Sequence, residues 1–227
     1  MDQKILIPGA IILAGVIVAG ALLYSKIPPA PGKTPGVFGD STPGVEEGAD
    51  ALKIQKDDFV LGSPAAKVVL VEYGDFQCPF CGRFFKTTEQ QIVDTYVKTG
   101  KAAFLWRDFA FLGEESFRAA EAARCAGEQG KFWDYHNYLF NHQNGENKGA
   151  FADQNLKSFA KTLGLNETTF NSCFDSGKYK KAIEDATAKG KSLGVNGTPA
   201  TFVNSQMISG AQPFSVFQKA IDEELRK

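Results

Sequence analysis

Cys78 and Cys81 stand two residues apart, and sulfur pairs at that spacing can pass between dithiol and disulfide. They follow an apolar, β-branched run, Val68-Val69-Leu70-Val71, and precede a segment that reads as a helix. A helix starting at this point sets the Cys78 sulfur against free backbone N–H groups and the positive end of the macrodipole. Both favour a thiolate. Pro79 suits the first helical position, where its missing N–H would have had no partner. The competing chemistry is half of a zinc site, which needs two further ligands. Only His136, His142, Cys125 and Cys173 are available for that, without a second Cys-x-x-Cys or a close histidine pair. Redox chemistry is therefore the first reading, with no metal.

The elements that position this pair must come from a chain of 227 residues with a net charge of −1. That length fits one domain of roughly 170–180 residues with extra segments attached. The near-neutral balance gives no reason to expect nucleic acid as a partner. Phenylalanine is abundant, with 19 residues, and Phe76, Phe80, Phe84 and Phe85 crowd Cys78. Most of these read as core, and some as the lining of an apolar docking surface. The 4 cysteines, Cys78, Cys81, Cys125 and Cys173, fit two disulfides in an oxidising compartment.

Ile5 to Leu23 is a run of 19 residues without a charge. At about 1.5 Å per residue it spans roughly 28 Å, near the thickness of a hydrocarbon core. Residues 1–26 therefore read as a single N-terminal transmembrane helix. The alternative is a cleaved signal with Ala19-Gly20-Ala21 as its small-residue site. Either reading exports the rest of the chain. Residues 27–50 contain 5 prolines and several glycines and read as a linker. Residues 51–227 read as the folded domain. Lys67 to Tyr73 and Lys101 to Asp108 are expected strands, with a helix over Pro79 to Val97 between them. An all-helical block comes next over about 113–193, with Asp153 and Asn166 as candidate N-caps. Ala200 to Val203 and Gln206 to Ile208 read as a hairpin, and Phe214 to Leu225 as an amphipathic helix.

A β-α-β unit, a helical insertion, a hairpin and a last helix make a thioredoxin-like α/β layout with an inserted all-helical domain. Over about Asp57 to Ile221 the chain resembles the DsbA-like thiol:disulfide oxidoreductases. The residues that carry the resemblance are Val71-Glu72-Tyr73-Gly74-Asp75-Phe76-Gln77-Cys78-Pro79-Phe80-Cys81, then Arg107-Asp108-Phe109, Ala119 to Ala126, Gly130-Lys131-Phe132-Trp133, and Gly194-Val195-Asn196-Gly197-Thr198-Pro199-Ala200. It is most similar to membrane-tethered or exported bacterial members.

The resemblance implies roles. Cys78 would be the nucleophile that forms a mixed disulfide with a client, and Cys81 would resolve it. Pro79 and Phe80 would tune the potential. Phe80 donates no hydrogen bond to sulfur, so a moderate oxidant is expected, weaker than members with Cys-Pro-His-Cys. Thr198-Pro199 would form a cis-proline loop facing the sulfurs, with the Thr198 backbone pairing to an extended client. Glu72 would be a buried acid exchanging a proton with Cys81. The competing reading of Glu72 is a surface strand glutamate. Asp75 reads as a turn residue, and His136 and His142 as packing or surface residues. Cys125 and Cys173 would form a structural disulfide, or else remain two buried thiols.

The expected protein is thus an exported, membrane-anchored oxidase of reduced or unfolded exported proteins. It would be monomeric, free of cofactors, and reoxidised by a DsbB-like or vitamin K epoxide reductase-like membrane partner. The alternatives are a reductase or isomerase of exported disulfides and, further off, a tethered peptide-binding chaperone.

Overall fold

Five strands form one sheet: β1 (Phe59–Gly62), β2 (Val68–Gly74), β3 (Ala102–Asp108), β4 (Ala200–Val203) and β5 (Gln206–Ser209), in the order β1-β3-β2-β4-β5. The computed structural model describes residues 52–227; the expected anchor at 1–26 and linker at 27–50 lie outside the described residues. Among the described residues no helix is long and apolar enough to cross a membrane. β2 and β3 run parallel, and the other pairs are antiparallel.

β2 is central and buried on both faces, which explains its near-continuous apolar sequence. Side chains alternate along a strand. Val68 and Leu70 therefore join one core with Phe84, Ile92, Tyr96, Phe104 and Phe217, while Val71 and Tyr73 join another with Leu105, Phe109 and Phe202. The same parity places Glu72 on the face of Leu70, under the helix that Cys78 begins.

That helix is α-helical over Pro79–Phe84 (α1), π-helical over Phe85–Glu89, α-helical over Gln90–Ile92 (α2) and π-helical over Val93–Val97. Between β3 and β4 come α3 (Glu114–Gly127), α4 (Phe132–Asn141), α5 (Asp153–Thr162), α6 (Glu167–Asp175) and α7 (Lys180–Ser192), and α8 (Phe214–Arg226) closes the domain. A Cβ on Gly190 of α7 would stand 2.8 Å from the Phe109 ring and 2.9 Å from Tyr73, so α7 approaches the sheet as closely as a glycine permits. A third core joins the insertion to the redox pair. It holds Cys78, Cys81, Phe76 and Trp106 together with Ala119, Cys125, Tyr135, Phe140 and Phe170.

Two expectations need correction. β1 is absent from the strands expected from sequence, because Phe59-Val60-Leu61 is a short triplet without alternation. Its strand state comes from antiparallel register with β3, Phe59 opposite Trp106 and Leu61 opposite Phe104. Asp153 is not the N-cap of α5, since Ala152 holds that position and Asp153 is the first helical residue. Its carboxylate is taken by the Arg118 guanidinium, at 2.8 and 2.9 Å. Asn166 does cap α6, its side chain accepting from Thr169 N at 2.9 Å.

Candidate active site

Cys78 is the N-cap of α1 with extended backbone, and Pro79 opens the helix. Asp75 shapes the turn before it. Its buried carboxylate accepts from Gln77 N at 2.8 Å, Phe111 N at 2.9 Å, Leu112 N at 3.2 Å and Ser116 Oγ at 2.7 Å. Burial is the largest influence on this carboxyl and raises it, with those donors pulling the other way. Asp75 is thus a structural clamp that ties the turn to the β3–α3 connection.

Both sulfurs are thiols in this structure, and both cysteines are buried. They are strongly unlike. The hydrogen bond from the Cys81 thiol is the largest influence on Cys78, which is brought down to about 6 against the opposing effect of burial. The Thr198 side chain and the N–H groups of Cys81 and Phe80 lower it further. Cys81 goes the other way, raised well above the ordinary thiol range by burial first, then by its bond to Cys78 and the charge of Glu72. One member of the pair is a thiolate at neutral pH and the other a thiol that serves it.

The loop before β4 closes the other side. Thr198–Pro199 is a cis peptide, and the Cys78 thiol lies 3.4 Å from the Thr198 carbonyl oxygen. The Thr198 hydroxyl is buried without a partner in the dithiol form. Phe80 is 54 % exposed beside the sulfurs, with the Arg83 guanidinium 5.2 Å from its ring centroid.

Glu72 is 1 % exposed, which excludes the surface reading. Burial chiefly raises its pKa, with smaller contributions from the charges of Glu89 and Cys78. Glu89, also raised by burial, is a second buried acid that the sequence reading misses. A signal exists: at helical spacing Glu89 falls on the stripe of Phe85, Ile92 and Tyr96, all core residues. A glutamate on such a stripe has to be neutral or paired. Each carboxyl keeps an Oε2 without a partner.

His136 is fully buried among Phe76, Phe85, Trp106, Trp133 and Phe140, and burial lowers it to about 4, so it is a neutral packing residue. Cys125 and Cys173 are joined as a disulfide with Cα atoms 5.8 Å apart, linking α3 to α6. That bond also removes them from any set of metal ligands.

A stabilised thiolate at a helix start, a buried partner thiol and a cis-proline loop across from them make a candidate site for thiol–disulfide exchange. The chain belongs to the thioredoxin family, whose model, described as Thioredoxin, matches residues 55–223. It is 28 % identical over 220 residues to the "Probable disulfide bond formation protein D" of Bacillus cereus, covering 95 % of this chain and 94 % of the relative. It is 30 % identical over 184 residues to the "Na(+)/H(+) antiporter NhaA 1" of Salinispora arenicola, where the match covers 78 % of this chain but only 27 % of the relative's length. Among solved structures, oxidised BdbD from Bacillus subtilis superposes with a TM-score of 0.71 at 25 % identity, covering 76 % of this chain and 95 % of that one.

Proposed function

We propose that the protein is an extracytoplasmic thiol:disulfide oxidase that donates a Cys78–Cys81 disulfide to reduced exported proteins. The observation that carries this reading is the asymmetry of the pair, with Cys78 lowered to about 6 and Cys81 raised. A client thiolate attacks the Cys78 sulfur, the Cys78–Cys81 bond breaks, and Cys81 leaves as a thiolate that takes a proton. A second client thiolate then attacks the client sulfur of the mixed disulfide. The client disulfide forms and Cys78 departs as a thiolate. A low pKa makes Cys78 a good leaving group and stabilises the reduced enzyme, so both effects drive electrons from client to protein. Thr198 presents backbone for an extended client, and Pro79 and Phe80 set the dipeptide that the client meets. No cofactor takes part. The dithiol is returned to the disulfide by a membrane reoxidant of DsbB-like or vitamin K epoxide reductase-like type, which an anchor at 1–26 and linker at 27–50 would bring within reach. We place the catalytic domain at residues 51–227, acting as a monomer.

The reduction potential of Cys78–Cys81, equilibrated in glutathione buffers, tests the direction of electron flow. A midpoint of about −180 mV or higher is expected. One near about −270 mV belongs to a reductant, and would reassign the protein to the reductase reading.

Glu72 is the proton donor to departing Cys81 in this scheme. Burial first, then the charge of Glu89, raises the pKa of its carboxyl, and it lies on the face of β2 beneath α1. Glu72→Gln keeps the shape and one set of hydrogen-bonding atoms but has no proton to give. We expect the reaction of the oxidised protein with a reduced peptide, tracked by stopped-flow fluorescence, to slow by about tenfold or more at pH 7. An unchanged rate would leave Glu72 a purely structural acid.

A further inference from the structure

The helical insertion reaches the redox turn through residues 142–152, the connection between α4 and α5. The contact centres on Gln143, half-buried in that connection. Its Nε2 donates to the carbonyl oxygen of Phe76 at 2.6 Å and to that of Cys78 at 3.1 Å. Both partners only accept, so the amide nitrogen must face them. The amide oxygen then lies over α1, and a Cβ built on Gly82 would stand 2.0 Å from it. A few residues on, Asn147 N donates to Gln77 Oε1 at 2.6 Å, and Gln77 Nε2 donates to Ser116 Oγ at 2.8 Å. The turn that carries Cys78 is therefore gripped by α3 on one side and by this connection on the other.

We propose that Gln143 is a positioning residue for the Cys78 thiolate, holding two backbone carbonyl dipoles so that they do not oppose the anion. The proposal rests on the reading of Cys78 as the thiolate nucleophile. As N-cap, Cys78 already directs its carbonyl oxygen to Gly82 N at 3.0 Å. Its second lone pair, and the Phe76 oxygen, are met by the Gln143 amide. The Cys78 oxygen belongs to the same residue as the sulfur and cannot move far from it. An unpartnered carbonyl presents its full negative end to a thiolate in a site of low dielectric, whereas a donated N–H offsets that charge. Gln143 supplies two such N–H groups from an element outside the thioredoxin-like layer. The presence of glycine at position 82 fits the same arrangement, since any side chain there would displace the amide.

The test is the pKa of Cys78 in the reduced full chain, read from the pH dependence of iodoacetamide alkylation with Tm recorded beside it, for Gln143→Ala, Gln143→Leu and Gln143→Glu. Ala and Leu are both expected to raise the pKa by about half a unit, a roughly threefold fall in the thiolate-to-thiol ratio. The Cys78–Cys81 potential should fall by about 15 mV in step, since tenfold corresponds to about 30 mV for this couple. Glu, which replaces the donor by an acceptor, is expected to raise the pKa further. Gly82→Ala should reproduce the shift by pushing the amide aside, and should add nothing to Gln143→Ala, because both act through one contact. Leu fills the volume without donating. A wild-type pKa in Gln143→Leu would show that bulk alone matters, and would overturn the proposal. So would unshifted values in Gln143→Ala and Gly82→Ala. If wild-type Cys78 itself titrates as an ordinary thiol, the nucleophile assignment fails first, and Gln143 has no thiolate to position.

Discussion

Iodoacetamide will modify Cys78 of the reduced protein along a curve centred near pH 6, while Cys81 stays unreactive through neutral pH. The first half comes from the groups around the sulfur: the Cys81 thiol, the Thr198 hydroxyl and the N–H groups of α1 all favour the anion. The second half comes from burial, since Cys81 has no exposure and its neighbours are a thiolate and a carboxyl. Cys78→Ser should reduce exchange with a client disulfide to background, and Cys81→Ala should accumulate the mixed disulfide, because nothing inside the protein remains to release it. The same shift has a signature in stability. The folded pKa of Cys78 is below that of a free thiol, so the reduced form gains stability from its thiolate that the oxidised form lacks. That gain is complete above the unfolded thiol value of 9.0, declines as pH falls, and is gone below about 6. The reduced form should therefore lose stability relative to the oxidised form between pH 8 and pH 5, seen as a change in the gap between their melting temperatures. Parallel curves across that range would sink the assignment of Cys78 as a stabilised thiolate.

The parts of this site that are legible in sequence are those made by local pattern. A Cys-x-x-Cys between a strand and a helix specifies its own electrostatics, because the N-cap position fixes the sulfur against free N–H groups. The face occupied by Glu72 is set by strand parity once β2 is assigned. The parts that escape are built by contacts distant in sequence. Gln143 is 65 residues from the Cys78 carbonyl it holds and sits in a connection without periodicity. The strand state of Phe59-Val60-Leu61 exists only through its partner β3. Glu89 is readable in principle, but a lone acid in an amphipathic helix is normally assigned to the solvated face, and the π-helical turns on either side of α2 blur the stripe that would place it. Asp153 misleads for a related reason: local preference marks it as a cap, and Arg118, 35 residues away, claims its carboxylate.

Removing the second disulfide, by Cys125→Ala with Cys173→Ala, should lower stability by about 4 kcal/mol in the chain-entropy model, for a sequence separation of 48. For a domain of this size that is a fall in Tm of about 8–16 °C. The reason lies in where the bond sits. It ties α3 to α6, and α3 also carries Ser116 and Glu115, whose side chains hold the redox turn and the 149–151 backbone. The insertion is a stack of helices joined by loops, and the bond limits the freedom of its unfolded chain most. Its surroundings also separate it chemically from Cys78–Cys81. Cys125 is 1 % and Cys173 7 % exposed, and Glu128 Oε1 stands 3.3 Å from the Cys173 sulfur. That carboxylate is kept ionised chiefly by Lys178, 2.7 Å away, and by Tyr179. An attacking thiolate meets a like charge there, so the reduced clients that open Cys78–Cys81 should leave Cys125–Cys173 intact. The potential of Cys78–Cys81 should move little in the double variant even as Tm falls. A potential that moved as far as it would on loss of Cys78's own hydrogen bonds would make the second pair part of the redox circuit, and the structural assignment would not survive.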